Sequence, residues 1–94
     1  MRKFRLKLYI TGRTQHSERA IGNLRRLCEE QLGGQYEMAV VDILENPQLA
    51  EDEKILATPT LIKELPLPIT RIIGDLSNKE KVLLGLDILT FDKK

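Results

Sequence analysis

The chain holds one histidine, His16, and one cysteine, Cys28. His16 precedes Ser17, so a hydroxyl nucleophile with an adjacent base is the first chemistry to weigh. Neighbouring residues on a helix point in different directions, and no third group is placed to orient the pair. His16 therefore reads as a solvated residue of a first helical turn. Cys28 falls within an apolar stripe, which fits an inert core residue better than a nucleophile. Gly12 and the Gly33-Gly34 pair match neither phosphate-binding fingerprint. A metal site needs clustered ligands, which one histidine and one cysteine in separate settings do not supply. The consecutive Glu51, Asp52 and Glu53 read as an acidic helical turn. These residues imply no catalysis, no metal and no cofactor.

Bulk composition narrows the classes further. Ninety-four residues allow one small domain, 1–94. The hydrophobic fraction is 41% and the charged fraction 31%, which is ordinary for a globular protein. A net charge of +1 gives no broad pull toward nucleic acid or an anionic membrane. Phe4, Tyr9, Tyr36 and Phe91 are too scattered to form a stacking platform for bases. No apolar run approaches the ~20 residues of a membrane span, and no signal peptide is visible. A single cysteine excludes an internal disulfide and points to a reducing, cytoplasmic setting.

Four elements of the first half must position whatever function remains. Phe4, Leu6, Leu8 and Ile10 alternate with Arg5, Lys7 and Tyr9, which predicts a half-buried strand with a wet outer face. Thr14 or Ser17 caps a following helix, whose Ala20, Ile21, Leu24, Leu27, Cys28 and Leu32 recur at helical spacing until Gly33-Gly34. Residues 36–44 form a nearly continuous apolar run, expected as an inner strand buried on both faces. With the first helix as crossover, this is a right-handed parallel βαβ unit. Asn46-Pro47 then starts a short helix running to about Lys54.

The second half commits less firmly. Pro66 and Pro68 exclude a helix between them, so strands at residues 60–63 and 70–73 make a hairpin. Ser77-x-x-Glu80 matches a capping box ahead of a last helix through Val82, Leu83, Leu86 and Leu89. The order is then βαβαββα. Leu84, Leu86 and Ile88 also alternate with Gly85, Asp87 and Leu89, so the same run carries period two. A helical and an extended tail are both open.

Thr58-Pro59-Thr60 at the start of a late strand is where thioredoxin-like folds place a cis-proline. A redox enzyme of that type needs Cys-x-x-Cys after the first strand, with one thiol acidified at the helix N-terminus. Residues 11–17 contain no cysteine. What remains is a thioredoxin-like scaffold without its nucleophile, for which binding is the function left by elimination.

Three blocks carry a resemblance. Asn46-Pro47-Gln48-Leu49-Ala50-Glu51, Lys54-Ile55-Leu56-Ala57-Thr58-Pro59-Thr60-Leu61, and Arg71-Ile72-Ile73-Gly74-Asp75-Leu76-Ser77-Asn78 with Gly85-Leu86-Asp87 resemble the KaiB family of circadian-clock proteins. The likeness extends from Leu6 to the final apolar run. It implies an α/β, thioredoxin-like protein whose residues from about 49 to 94 take two folds, while about 1–48 keep one. The resting form implied is a βαββααβ homotetramer, with dimers as a further state. The second is a βαβαββα monomer that binds the N-terminal ring of a KaiC-type ATPase, captures KaiA and competes with a SasA-type kinase.

By the same resemblance, Lys54 and Arg19 are partner-binding residues and Gly85 and Asp87 bias the switch. Pro59, Pro66 and Pro68 mark the switching half. The resting form is the expected structure, with Pro59 trans. Gly85→Ala is expected to favour the helical tail by roughly 1 kcal/mol from propensity alone. Arg13-Thr14-Gln15-His16, Leu65-Pro66-Leu67-Pro68 and the ending at Lys94 depart from the usual clock pattern. They point to a divergent relative, in circadian timing or in a related stress pathway. The readings set against this one are a redox enzyme of thioredoxin type and a detached, monomeric kinase sensor domain.

Overall fold

A computed structural model describes residues 3–86. Its order is β1 (Phe4–Ile10), α1 (Gln15–Leu32), β2 (Tyr36–Asp42), α2 (Pro47–Asp52), β3 (Thr60–Leu65), β4 (Thr70–Ile73) and α3 (Lys79–Gly85). The thioredoxin-like α/β class holds. The βαββααβ order expected for the resting form does not, and the chain adopts the βαβαββα arrangement. Residues 60–65 and 70–73 pair as an antiparallel hairpin that sets Leu61 opposite Ile72, and both enter the core. With those two strands in the sheet, residues 79–85 are left to close the core as a helix. The expected trans bond at Pro59 fails with the expected fold: the bonds before Pro59, Pro66 and Pro68 are all cis. Asp87, Ile88 and Leu89 lie outside the described residues.

The sheet order is β2-β1-β3-β4, with β1 parallel to β2 and antiparallel to β3. Alternation on β1 sends Leu6, Leu8 and Ile10 toward α1, where Ala20, Ile21, Leu24, Leu27 and Cys28 meet them. Val82, Leu83 and Leu86 of the α3 region complete that core. Two strand expectations change because of strand position. β2 is an edge strand, so Glu37 and Ala39 are exposed and only Tyr36, Met38 and Val40 pack inward. β1 is central, and its Tyr9, expected on a wet face, is fully buried.

Helix ends follow local chemistry. Thr14 and Ser17 form a reciprocal capping box at the start of α1, and Gly33 ends it in the left-handed region at φ 54°. The cap of α3 is Asn78, not Ser77: its side chain accepts from the Lys81 N–H at 3.0 Å. α2 stops at Asp52, two residues short of expectation, and buries no side chain.

Candidate partner-docking surface

The turn after β1 lies where thiol enzymes of this fold hold their nucleophile. Here Ser17 is committed to structure, since its hydroxyl donates to the Gly12 carbonyl at 2.7 Å and caps α1. His16 is exposed. Thr11 and Thr58 join their hydroxyls at 2.7 Å, tying this turn to the residue before Pro59. The cleft between them has a volume of about 40 Å³. That is room for about three waters and well below the roughly 300 Å³ at which small-molecule pockets begin. Cys28 is fully buried in α1, and burial first, with Glu29 second, pushes its thiol up to about 12. A thiol held protonated is no nucleophile. Among the described residues no cluster of three metal-ligating side chains occurs.

The presented surface lies at the same end of the sheet, on the face opposite α1. Residues 53–56 cross that face between α2 and β3. Lys54 is exposed and takes φ 54°, a left-handed conformation uncommon for a side chain with a Cβ. Local bonds fix the turn: Lys54 N–H donates to the Glu51 carbonyl at 3.1 Å, and Ile55 N–H to that of Ala50 at 2.9 Å. Arg71 then reaches over from β4. Its guanidinium donates to the Lys54 carbonyl at 3.2 Å and to the Glu53 carbonyl. A rigid fork can hold two consecutive carbonyls in this way, whereas a lysine ammonium has no such geometry.

Tyr9 lies buried on this face of the sheet, and its hydroxyl has no partner among the described residues. Burial is the main cause of its raised pKa; Lys7 and Arg71 oppose the rise, while Glu53 and Glu64 add to it. Within the Lys54 turn Leu56 is 94% exposed, and Leu49 of the preceding α2 also faces solvent. A cation flanked by exposed apolar side chains at one end of a sheet is suited to docking a protein surface.

The other candidates are dispersed. Arg19 sits on α1, in the layer opposite Lys54, where it and His16 lie near Asp75. The Asp75 carboxyl is held below its ordinary value chiefly by hydrogen bonds from Ser77. Pro66 and Pro68 lie in the β3–β4 turn at the far end of the sheet. Gly85 packs against β4: a Cβ there would come within 2.6 Å of Ile72 Cδ1 and Cγ1. The gain expected for Gly85→Ala from propensity alone is therefore opposed by a contact that only the folded arrangement reveals. Arg71 is the residue sequence reasoning missed. It acts 17 and 18 positions away, and no local spacing announces that.

Comparison with known proteins places these features. The KaiB domain family matches residues 7–88. Circadian clock protein KaiB3 of Synechocystis sp. is 60% identical over 89 residues, covering 95% of this chain and 87% of that protein. Circadian clock oscillator protein KaiB of Synechococcus elongatus is 60% identical over 84 residues, covering 89% and 82%. Among solved structures, the N-terminal domain of Synechococcus elongatus SasA superposes with a TM-score of 0.75 at 20% identity, over 93% of this chain and 86% of that one. Mitochondrial thioredoxin 3 from Saccharomyces cerevisiae gives 0.72 at 17% identity, over 93% and 79%. At such identities these two structures speak to the fold, which is thioredoxin-like.

Proposed function

The chain belongs to the KaiB family, and we propose that it is a non-enzymatic regulator that docks on the N-terminal ring of a KaiC-type ATPase. The setting is circadian timing or a related stress pathway. The observation that carries this reading is the Lys54 turn, an exposed cation in a strained backbone position held by Arg71 from a distant strand. Holding a surface turn this way removes disorder that binding would otherwise have to remove. The βαβαββα arrangement is the docking form, and Lys54 and Leu56 are its contact residues, with Arg19 contacting a further partner from the α1 layer.

A two-state cycle follows from the same reading. The second half, from about residue 49, exchanges this arrangement for a βαββααβ form favoured by homotetramer contacts, so high protein concentration favours the latter. Partner binding selects the monomeric docking form, by no more than its differential affinity for the two. Gly85 and Asp87 set the balance together with the proline-containing segment from Pro59 to Pro68. A SasA-type kinase, whose domain of that name shares this fold, competes for the same ring, and KaiA joins the assembled complex.

The test is titration of the purified N-terminal ring with wild-type chain and with Lys54→Glu. Saturable binding that the charge reversal weakens at least tenfold is expected. Absence of binding, or equal affinity of the variant, overturns the proposal. The structure favours no redox reading, because the cleft at Pro59 is lined by hydroxyls and an imidazole rather than a thiol.

A further inference from the structure

Lys63 stands out as a charge in the wrong place. It lies on β3 opposite Leu6 of β1 and Thr70 of β4, so it points to the face that α1 covers. It is 0% exposed. Its ammonium has three N–H donors; among the described residues it has one acceptor, the Pro66 carbonyl at 2.6 Å. Among the described residues no carboxylate forms an ion pair with it, whereas Lys7 on the opposite face pairs with Glu64 at 3.2 Å while partly solvated. The cross-strand Thr70 hydroxyl is also buried without a partner among the described residues. Two under-satisfied polar groups therefore share one interior position in the β3–β4 hairpin.

Water satisfies an ammonium fully, and one carbonyl does not repay its removal from water. A buried charge without a counter-ion is a net cost, and a hydrophobic side chain of similar volume commonly removes that cost. The burial depends on the hairpin: when residues 60–73 leave this pairing, the ammonium regains water. The cost is thus attached to one arrangement of the chain rather than to folding in general.

We propose that Lys63 is a built-in destabiliser of the βαβαββα arrangement, with Thr70 as its lesser companion. Together they hold the docking form at low population, so that only a partner with sufficient differential affinity draws it out. This rests on the two-state reading above.

The full chain is compared as wild type, Lys63→Met and Thr70→Val, by 15N NMR across a dilution series and by urea unfolding. Lys63→Met is expected to raise the ratio of docking form to resting form roughly tenfold, the equivalent of about 1.4 kcal/mol, and Thr70→Val about threefold. Lys7→Met, which changes a paired and partly solvated lysine, leaves the ratio unchanged. A ratio that falls or stays constant in both test variants overturns the proposal, and if Lys63→Met does not fold, Thr70→Val decides. If wild type shows one set of resonances at every concentration, the two-state reading fails. The role of Lys63 is then read from the urea midpoint, where a rise in the variants supports an intrinsic cost and no rise removes it.

Discussion

The two halves of this chain are built to different standards. The first, β1-α1-β2, has an 18-residue helix with a capping box and a left-handed glycine stop. On the face that α1 covers, Ser17 is its only buried polar side chain among the described residues, while Tyr9 buries its hydroxyl on the other face. The second half carries helices of six and seven residues, one of which buries nothing. Among its described residues two that are not glycine take positive φ, Lys54 and Leu76. Most of the large exposed apolar side chains among the described residues are here as well: Leu49, Leu56, Leu65, Leu67, Ile69, Ile73 and Leu84. The halves are joined at the centre of the sheet, where β1 pairs with both β2 and β3. A region held by mutually supporting contacts resists rearrangement, and one with exposed apolar groups and a buried charge has less to lose by it.

The strongest way to break that comparison is the same truncation in each half. Leu24 is 0% exposed in α1, and Leu24→Ala should cost about 2–5 kcal/mol in urea unfolding. Leu56 is 94% exposed, and Leu56→Ala should stay within about 0.5 kcal/mol while weakening binding to the ATPase ring. Equal stability losses would show that the second half is as tightly built as the first.

Next in size is the seam between α3 and β4. Gly85→Ala gains helix propensity but drives a Cβ to 2.6 Å from Ile72, itself 7% exposed. Overpacking of this kind costs about 1–3 kcal/mol. In an Ile72→Ala background the obstructing atoms are gone, so Gly85→Ala should favour this arrangement by about 1–3 kcal/mol more than it does in wild type. Double-mutant-cycle unfolding reads the difference, and simple additivity would mean that α3 does not rest on Ile72.

A smaller effect concerns the Arg71 fork. Hydrogen bonds from a charged donor that is itself exposed should contribute about 1–2 kcal/mol to holding residues 53–55. Arg71→Met is expected to speed hydrogen exchange of the Ile55 amide roughly 5–30-fold, because that amide's bond to Ala50 belongs to the same turn. It should also weaken ring binding while leaving global unfolding nearly unchanged. Unaltered exchange would detach Arg71 from the docking surface.

The contrast between halves also governed what was legible in the sequence. The inward set Leu6, Leu8 and Ile10, helical spacing from Ala20 to Leu32 and the glycine stop are legible, since each is a local signal aligned with the core. The alternation, by contrast, puts Tyr9 on a wet face, and the sheet buries it. β2 misled because an apolar run does not say whether a strand has one neighbour or two. In the second half the local signals lead to the βαβαββα order that the structure shows, and the failed βαββααβ expectation comes from the resemblance, which the two periods of residues 84–89 leave unopposed. Lys63 is illegible for a related reason: a lysine next to a glutamate reads as surface until pairing with Leu6 fixes its face. The Lys54 turn was singled out by resemblance, whereas Arg71, which holds it, acts through a contact that no spacing rule anticipates.

The smallest expected effect, none at neutral pH, tests the first half on its own terms. Among the described residues, the groups held above their ordinary values are Tyr9, Cys28 and Tyr36, all in β1-α1-β2. Cys28 rises from 9.0 to about 12. In the unfolded chain the thiol ionises above pH 9, while in the folded chain it stays protonated until about 12. The stabilisation is therefore complete below pH 9 and lost as pH rises through about 12. Urea midpoints of wild type should fall across that interval more steeply than those of Cys28→Ala, while the two curves run parallel from pH 6 to about 8.5. A thiol reagent at pH 8 should meanwhile label Cys28 only as fast as the chain opens, since the reactive thiolate is absent from the buried site. Parallel curves at alkaline pH, or labelling faster than global unfolding, would mean that α1 opens locally. The first half would then share the loose construction assigned here to the second.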